Sequence, residues 1–179
     1  KPGFAFGGSC LPKDLRAINY LAKMNDLELP LLESLIPSNN IQILTLIKRI
    51  LALGKRKVGI AGFSFKAGTD DLRESPIVEV IETLIGKGYD LKLYDKNVAV
   101  AKLIGANKEY INNHIPHIAS LMVDSLDELL KDREIIIIGN SDVEFKRLLT
   151  ESRDDQLIFD LVRIGDISSA RENYQGICW

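Results

Sequence analysis

Apolar residues recur at helical spacing in the first third of the chain. After Pro12, four apolar side chains would share one face of a helix: Leu15, Ile18, Leu21 and Ala22. Proline at the first turn of a helix costs no hydrogen bond, because the N–H that it lacks would have no partner there. The pattern therefore predicts a first helix that begins near Pro12.

A second helix is predicted from Pro30 onward, with a break expected at the proline of "IPSNN". Its later part carries a broad apolar stripe: Ile43, Leu44, Ile47, Ile50 and Leu51. Gly54 stands where a glycine often ends a helix. A helix so apolar beside a small domain needs a partner, and we expect residues 41–53 to pack in the core of a dimer.

The pattern changes at Lys55, where short apolar runs begin to alternate with helical segments. Five runs are interpreted as strands: "KVGIAGFSF", "YDLKLYD", "IASLMVD", "EIIIIGN" and "QLIFDLV". Four helices accompany them: "SPIVEVIETLIGKG", "KNVAVAKLIG", "SLDELLKD" and "DVEFKRLLTES". This alternation predicts an α/β fold, with a Rossmann-like doubly wound parallel sheet over residues 55–179 and a helical segment over residues 1–54.

Composition narrows the class of protein. The formal net charge of −2 argues against a general nucleic-acid binder. No apolar run approaches the roughly 20 residues that span a bilayer, so no membrane partner is expected. Two cysteines, Cys10 and Cys178, do not make a disulfide framework, which favours a reduced, cytoplasmic protein. The opening "KPGFAF" has no initiator methionine, and we expect a fragment of a longer protein.

The segment "GFAFGGSCLPKD" is the first candidate for chemistry. Cys10 falls just before a helix or in its first turn, with Lys13 close by, and both features favour the reactive thiolate. Asp14 could hold a water or act as an acid or base. Gly7 and Gly8 would allow a ligand to approach the backbone closely. The alternative is a buried, inert cysteine, since free cysteines are often core residues.

The second candidate is the loop "GFSFKAGTDDLRESP", which follows a predicted strand and precedes a helix. Lys66 and Arg73 are cations, and such a loop suits a phosphate or pyrophosphate. Asp70 and Asp71 are interpreted as structural, pairing with cations or capping the helix. The alternative is a solvated loop with internal ion pairs. Because ligands bind beyond the carboxyl ends of parallel strands, we expect the site at that edge.

Two weaker patterns are set aside. "VGIAGFSF" followed by a helix and Asp95 is only part of a dinucleotide fingerprint, because the third glycine is missing and the acidic residue lies too far along. The domain is therefore expected to be Rossmann-like without being the NAD site. His114 and His117 flank Pro116 without further ligands of the right kind, so no metal is expected.

Together, "GFAFGGSCLPKD" and "FSFKAGTDDLRESP" resemble the nucleotide-sugar 6-dehydrogenase family, which includes the UDP-glucose and GDP-mannose dehydrogenases. The resemblance covers the whole chain, but only the end of the family's central domain and its C-terminal nucleotide-sugar domain. "YQGICW" and "GANKEYI" are closer to the GDP-mannose branch. Because the N-terminal NAD-binding domain is not in this sequence, the resemblance implies a fragment that is inactive alone.

The resemblance implies NAD as the cofactor and oxidation of a sugar C6 alcohol to a carboxylate, in two hydride transfers. Cys10 would be the nucleophile, passing through a thiohemiacetal and a thioester, and Asp14 would assist the water or a proton transfer. Lys13 and Arg73 would reach toward NAD. The product would serve an acidic polysaccharide such as alginate.

The resemblance also implies the substrate contacts and the assembly. Lys66 would bind the nucleotide-sugar phosphates, and a further set would contact the substrate: Lys1 (in a neighbouring subunit), Phe4, Gly7, Gly8 and Arg163. Ile164 follows Arg163 where the family often has asparagine, which weakens that assignment. Family members are dimers or higher homo-oligomers. A non-catalytic nucleotide-sugar binding module stays open as an alternative, whereas a thiol redox protein lacks its C-x-x-C motif.

Overall fold

The computed structural model describes residues 3–98, 118–165 and 172–177. Two helices come first: α1 (Leu11–Met24) and α2 (Pro30–Ala52). The predicted first helix is confirmed, with Pro12 in its first turn. The expected break in the second helix is wrong, because α2 runs without interruption through Pro37.

Packing explains why α2 tolerates an internal proline that costs about 3 kcal/mol in an isolated helix. Its later half buries four side chains in the protein core: Ile43, Leu46, Ile47 and Ile50. Near the proline, the side-chain amide of Asn39 accepts a hydrogen bond from the Phe6 N–H and donates one to the Phe6 carbonyl, both of 2.8 Å. The helix is therefore held on both sides of Pro37.

Five parallel strands form a single sheet in the order β2-β1-β3-β4-β5. Their bounds are β1 (Lys57–Ala61), β2 (Asp90–Tyr94), β3 (Ile135–Ile138), β4 (Leu157–Asp160) and β5 (Tyr174–Gly176). At the centre, Ile60 pairs with Leu93 on one side and Ile137 on the other. The strand order reverses between β1 and β3, which is the switch point where such sheets bind ligands.

Short helices connect the strands within the described ranges. They are α3 (Pro76–Gly86), α4 (Ile118–Leu121), α5 (Leu126–Leu130), a 3-10 helix (Val143–Arg147) and α6 (Leu148–Glu151). The strand predicted at "IASLMVD" is wrong: the segment forms α4, and only Met122 makes an isolated bridge, with Leu93. β5 was not predicted. The helix predicted at "KNVAVAKLIG" falls almost entirely outside the described residues.

Two apolar layers cover the sheet, which confirms the doubly wound α/β fold. One face packs Ile60 and Ile137 against α2 and α3, and the other packs Ile136 and Ile138 against α5 and the 3-10 helix. Much of the α2 stripe is thus covered by the chain's own sheet domain rather than by a partner, although Ile41 and Leu44 stay exposed. The division at residue 54 remains a prediction. In the described ranges, no helix has the length and apolar character needed to cross a membrane.

Candidate functional site

Cys10 is the N-cap residue of α1, and its side chain is exposed. The alternative of a buried cysteine is therefore wrong. The carbonyl of Cys10 accepts the first hydrogen bond of the helix, 2.9 Å from the Asp14 amide nitrogen. The first amides of a helix have no acceptor within it, so they favour a negative charge placed here.

Lys13 and Asp14 project from the first turn of α1. Lys13 Nζ lies 3.4 Å from Asp14 Oδ1, and both side chains are more than half exposed. An exposed pair of this kind contributes little to stability, because water competes for both charges. The two side chains are consequently available to a ligand that approaches Cys10.

Arg73, from the second motif, lies near enough to Cys10 for the two charges to interact. Its guanidinium donates hydrogen bonds of 2.9 and 2.8 Å to the two carboxylate oxygens of Asp71. These bonds raise the pKa of Arg73 and lower that of Asp71, and the charge of a Cys10 thiolate is a smaller further cause that raises the pKa of Arg73. The interpretation of Asp71 as a structural partner of a cation is confirmed. The fold thus brings together two motifs that are 60 positions apart.

An ion pair joins α1 to the same loop. Both terminal nitrogens of the Arg16 guanidinium donate hydrogen bonds to the Glu74 carboxylate. Glu74 has a φ of 49°, a left-handed conformation that is uncommon for residues other than glycine. The bidentate contact therefore holds a strained residue between Arg73 and the N-cap of α3, Ser75.

Gly7 and Gly8 are required by the protein's own packing. A Cβ atom at Gly7 would lie 2.0 Å from the carbonyl oxygen of Glu74, and one at Gly8 would meet the ring of Phe65 at 3.0 Å. Gly8 also has a φ of 85°. The prediction that these glycines give a ligand close access to the backbone is therefore not needed to explain them. They let the cysteine loop lie directly on the loop of the second motif.

A cleft of about 200 Å³ opens at the carboxyl ends of β1 and β3. Its walls include Phe4, Phe65, Lys66, Asn140, Ser141 and Val162. Phe4 is only 6% exposed and belongs to the core, so its ring can form part of a wall but cannot reach out to a ligand. The side chain of Lys66 is exposed at the cleft and supplies a cation there. The cleft lies at the edge of the sheet where the site is expected, and the assignment of a site there stays a prediction.

The floor of the cleft is a buried polar cluster that the sequence interpretation missed. The Oδ2 atom of Asp95 accepts hydrogen bonds of 3.2 Å from the backbone amides of Phe63 and Ser64 and from the Asn140 side chain. It also lies 2.9 Å from Ser64 Oγ. The amide of Asn97 donates to the other carboxylate oxygen. Asp95 is only 3% exposed, so its side chain is turned into the protein.

Arg163 lies on the turn after β4 in a left-handed conformation, with a φ of 53°. The buried carboxylate of Asp160 holds this turn by accepting hydrogen bonds from the amides of Val162 and Ile164, at 3.0 and 2.8 Å. The hydroxyl of Tyr174 donates to the same carboxylate. Burial, followed by this hydrogen bond and the charge of Asp160, raises the pKa of Tyr174 strongly.

Several sequence candidates cannot be placed. Lys1, His114, His117 and Cys178 lie outside the described residues. Within the ranges that the structure does describe, no cluster of three or more histidine, cysteine, aspartate or glutamate side chains is arranged to hold a metal ion.

Comparison with known protein families covers most of the chain. Residues 59–167 match the UDP-binding domain of the UDP-glucose/GDP-mannose dehydrogenase family, and residues 1–41 match the central domain of the same family. The chain belongs to this family. The two matched segments contain the two motifs of the candidate site, so the family resemblance seen in the sequence is confirmed.

Individual relatives in the family support the same assignment. The chain is 49% identical to the GDP-mannose 6-dehydrogenase of Pseudomonas aeruginosa over 179 residues, covering 100% of this chain and 41% of that protein. It is 34% identical to the UDP-glucose 6-dehydrogenase of Rickettsia felis over 167 residues, covering 90% and 34%. A crystal structure of a ternary complex of the Pseudomonas aeruginosa GDP-mannose dehydrogenase superposes with a TM-score of 0.91, at 49% identity and the same coverage. The chain thus spans about two fifths of the length of these relatives.

Proposed function

We propose that this chain is the cysteine-bearing and nucleotide-sugar-binding part of an NAD-dependent GDP-mannose 6-dehydrogenase. The observation that best supports this proposal is the exposed Cys10 thiol at the start of α1, close enough to Arg73 of the second motif for their charges to interact. The identity of 49% to a GDP-mannose enzyme, against 34% to a UDP-glucose enzyme, favours GDP-mannose as the substrate and GDP-mannuronate as the product. Because the chain spans 41% of its relatives, catalysis requires further chain.

The cleft at the carboxyl edge of the sheet is proposed to hold the nucleotide sugar. Lys66 supplies a positive charge for the phosphates, and Asn140 and Ser141 also line the cleft. Arg163 is proposed as a further substrate contact. A lysine is a point charge with three donors, so it suits a diphosphate whose oxygens differ in orientation.

Cys10 is proposed to act on the aldehyde stage of the oxidation. Its sulfur would attack the C6 carbonyl to form a thiohemiacetal, whose oxygen faces the free amides at the start of α1. Loss of the hydroxyl proton, and of a hydride from C6 that NAD+ would accept when bound, would leave a thioester. A water positioned by Asp14 would then attack that carbon, giving the carboxylate and returning the thiol. Covalent capture would also keep the reactive aldehyde from leaving.

The residues around Cys10 fit a dinucleotide on the same side of the site. Lys13 and Arg73 are cationic and at least 40% exposed, Lys13 on the helix turn that follows Cys10 and Arg73 near enough for its charge to interact with the thiolate, which suits the pyrophosphate of NAD. When bound, NAD+ supplies the hydride acceptor for both oxidations. Arg73 shares its charge with Asp71, so we propose Lys13 as the more readily available of the two cations.

We also propose that the protein assembles with copies of itself. The exposed apolar side chains of Ile18, Leu21, Ile41 and Leu44 on α1 and α2 are consistent with a homo-oligomer. We expect a dimer or higher in solution, in the cytoplasm.

The test is NADH formation by the complete gene product, with GDP-mannose and UDP-glucose compared at equal concentration. We expect two NADH per GDP-mannose and none with UDP-glucose. Cys10→Ser should abolish formation of the acid while leaving calorimetric binding of GDP-mannose intact. Turnover of UDP-glucose alone would assign the protein to the UDP-glucose branch of the family. If the protein binds a nucleotide sugar without turning it over, and Cys10 is alkylated no faster than an unfolded thiol, it is a binding module.

A further inference from the structure

The polar cluster under the cleft joins the ends of three neighbouring strands. Asp95 follows β2, Ser64 follows β1, and Asn140 follows β3. All three side chains are at least 96% buried, and each is within hydrogen-bond distance of the other two. The cluster thus links the three strand ends through side chains.

The geometry around Asp95 fixes the direction of the loop that carries Lys66. Two consecutive backbone amides, of Phe63 and Ser64, point at one carboxylate oxygen. Ser64 Oγ lies 2.9 Å from that oxygen and 3.2 Å from the Lys66 carbonyl, and its single proton serves one of these two acceptors. The two amide hydrogen bonds therefore fix the backbone two residues before Lys66.

The carboxylate is suited to this role because it can only accept. Three N–H donors and the Ser64 hydroxyl lie within hydrogen-bond distance of Oδ2, and a carboxylate accepts from them without a competing donor of its own. An amide in the same place would offer one acceptor and one donor. At a buried position, the resulting unpaired donors would push the loop away or admit water.

In folds of this kind, the end of the second strand is also known as a place for a ligand-binding acidic residue. An acidic residue at the end of the second strand of a dinucleotide-binding unit normally faces outward and binds a ribose hydroxyl. Here the acidic residue at the end of β2 faces inward, and a side chain from the end of β3, Asn140, contacts it. The acidic residue at this location thus holds the loop after β1 in place instead of binding a ligand.

We propose that Asp95 is a positioning residue for the nucleotide-sugar site, holding the Phe63–Lys66 loop so that the Lys66 ammonium faces the cleft. This inference rests on the proposed function for the identity of the ligand, but its structural part does not. Asp95 touches neither substrate nor cofactor in this scheme. It acts through Ser64 and Asn140 on the location of Lys66.

The binding test uses the complete gene product and calorimetric titration with GDP-mannose. Asp95→Asn should weaken binding about tenfold to a hundredfold, since a displacement of about 1 Å in a positioning group has effects of that size. In the Lys66→Ala background, the same substitution should change binding by less than about twofold, because the two residues act on one contact. Asp124→Asn, which removes an exposed carboxylate, is the matched control.

Steady-state rates add a readout that a general loss of stability would not produce. Asp95→Asn should raise KM for the nucleotide sugar by the same factor as the loss of binding, and leave kcat within about twofold, because Cys10 and its helix are untouched. If Asp95→Asn does not fold, Ser64→Ala removes one donor of the cluster and should give the same effects at about threefold.

Trypsin cleavage after Lys66 tests the loop without any ligand. Release of the loop in Asp95→Asn should speed this cleavage at least about tenfold, while cleavage after Lys87, at the far end of α3, stays unchanged. If wild-type protein binds no nucleotide sugar, the proposed function fails and this readout alone decides the positioning role. An equal loss of affinity with and without Lys66, or unchanged cleavage after Lys66, would overturn the inference.

Discussion

The carboxylate of Glu74 accepts hydrogen bonds of 2.7 and 2.9 Å from the two terminal guanidinium nitrogens of Arg16. The two residues lie 58 positions apart in the sequence. This contact fastens the helix that begins at Cys10 to the loop that carries Arg73. It lowers the pKa of Glu74 through the hydrogen bond and charge of Arg16, against the opposing effect of burial.

Removal of this ion pair is expected to destabilise the protein in a pH-dependent manner. A carboxyl group whose pKa is lowered in the folded state stabilises it above the unfolded pKa, and this stabilisation is lost as pH falls through the folded pKa. Glu74→Gln should therefore lower the free energy of unfolding by about 0.5–1 kcal/mol near pH 7, a range already reduced for solvent screening. The difference from wild type should shrink as pH falls below the unfolded pKa of a glutamate, about 4.3, and should be clearly smaller at about pH 3 than at pH 7.

Denaturant unfolding at the two pH values measures this effect. Glu28→Gln, which removes an exposed carboxylate in the loop before α2, serves as the control and should change stability little at either pH. A Glu74→Gln deficit that is as large in acid as at neutral pH would show that the ion pair is not its cause.

Substitution of Gly7 should be far more costly than substitution of Gly86. Gly7→Ala places a methyl group 2.0 Å from the Glu74 carbonyl oxygen, and we expect a loss of about 1–3 kcal/mol. Gly86 ends α3 with no atom within 4 Å of a Cβ, so Gly86→Ala should be neutral or stabilise by up to about 1 kcal/mol. Thermal unfolding of both variants gives the comparison, and equal effects would contradict the packing described for Gly7.

The sequence patterns correctly predicted those elements whose structure depends mainly on their own residues. "EIIIIGN" predicted a central strand because β3 is buried on both faces and needs apolar side chains throughout. Ser75 and Pro76 predicted the start of α3, since cap and first-turn preferences depend on local geometry. Cys10 could be placed at the start of α1 for the same reason.

Other features depend on contacts between distant residues and could not be predicted. β5 is only three residues long and exists because it pairs with β4. The continuity of α2 through Pro37 depends on the core that buries Ile50 and on the hydrogen bond that the Asn39 side chain accepts from the Phe6 amide. The inward direction of Asp95 depends on where the ends of β1 and β3 meet it, which no local pattern reports.

The rate of Cys10 alkylation should respond in opposite directions to substitutions at Arg73 and Asp71. Arg73→Gln removes a cation near the thiol and should slow alkylation by iodoacetamide at neutral pH by about two- to fivefold. Asp71→Asn leaves the Arg73 charge uncompensated and should speed the reaction by a similar factor. Lys23→Gln, in the last turn of α1, is the control. A change of the same sign in both variants would contradict an electrostatic origin.

Tyr174 should not ionise with the other tyrosines when the folded protein is titrated. Its pKa is raised by burial and by the adjacent Asp160 carboxylate. A group whose pKa is raised in the folded state stabilises it below the unfolded pKa, about 10, and loses that contribution as pH rises through the folded pKa. Ultraviolet titration of wild type and Tyr174→Phe should therefore give the same phenolate absorbance up to about pH 11. An absorbance lower by one tyrosine in the variant would refute this.

Because α2 is continuous through Pro37, its residues Asn39 and Ile50 are joined by eleven steps of unbroken helix, or about 16 Å. Asn39 secures the loop that leads to the cysteine, and Ile50 is embedded in the layer beneath the sheet. The attachment of the cysteine loop and the anchor in the core therefore belong to one rigid element. A displacement of the helix at the core would be passed directly to the loop that carries the thiol.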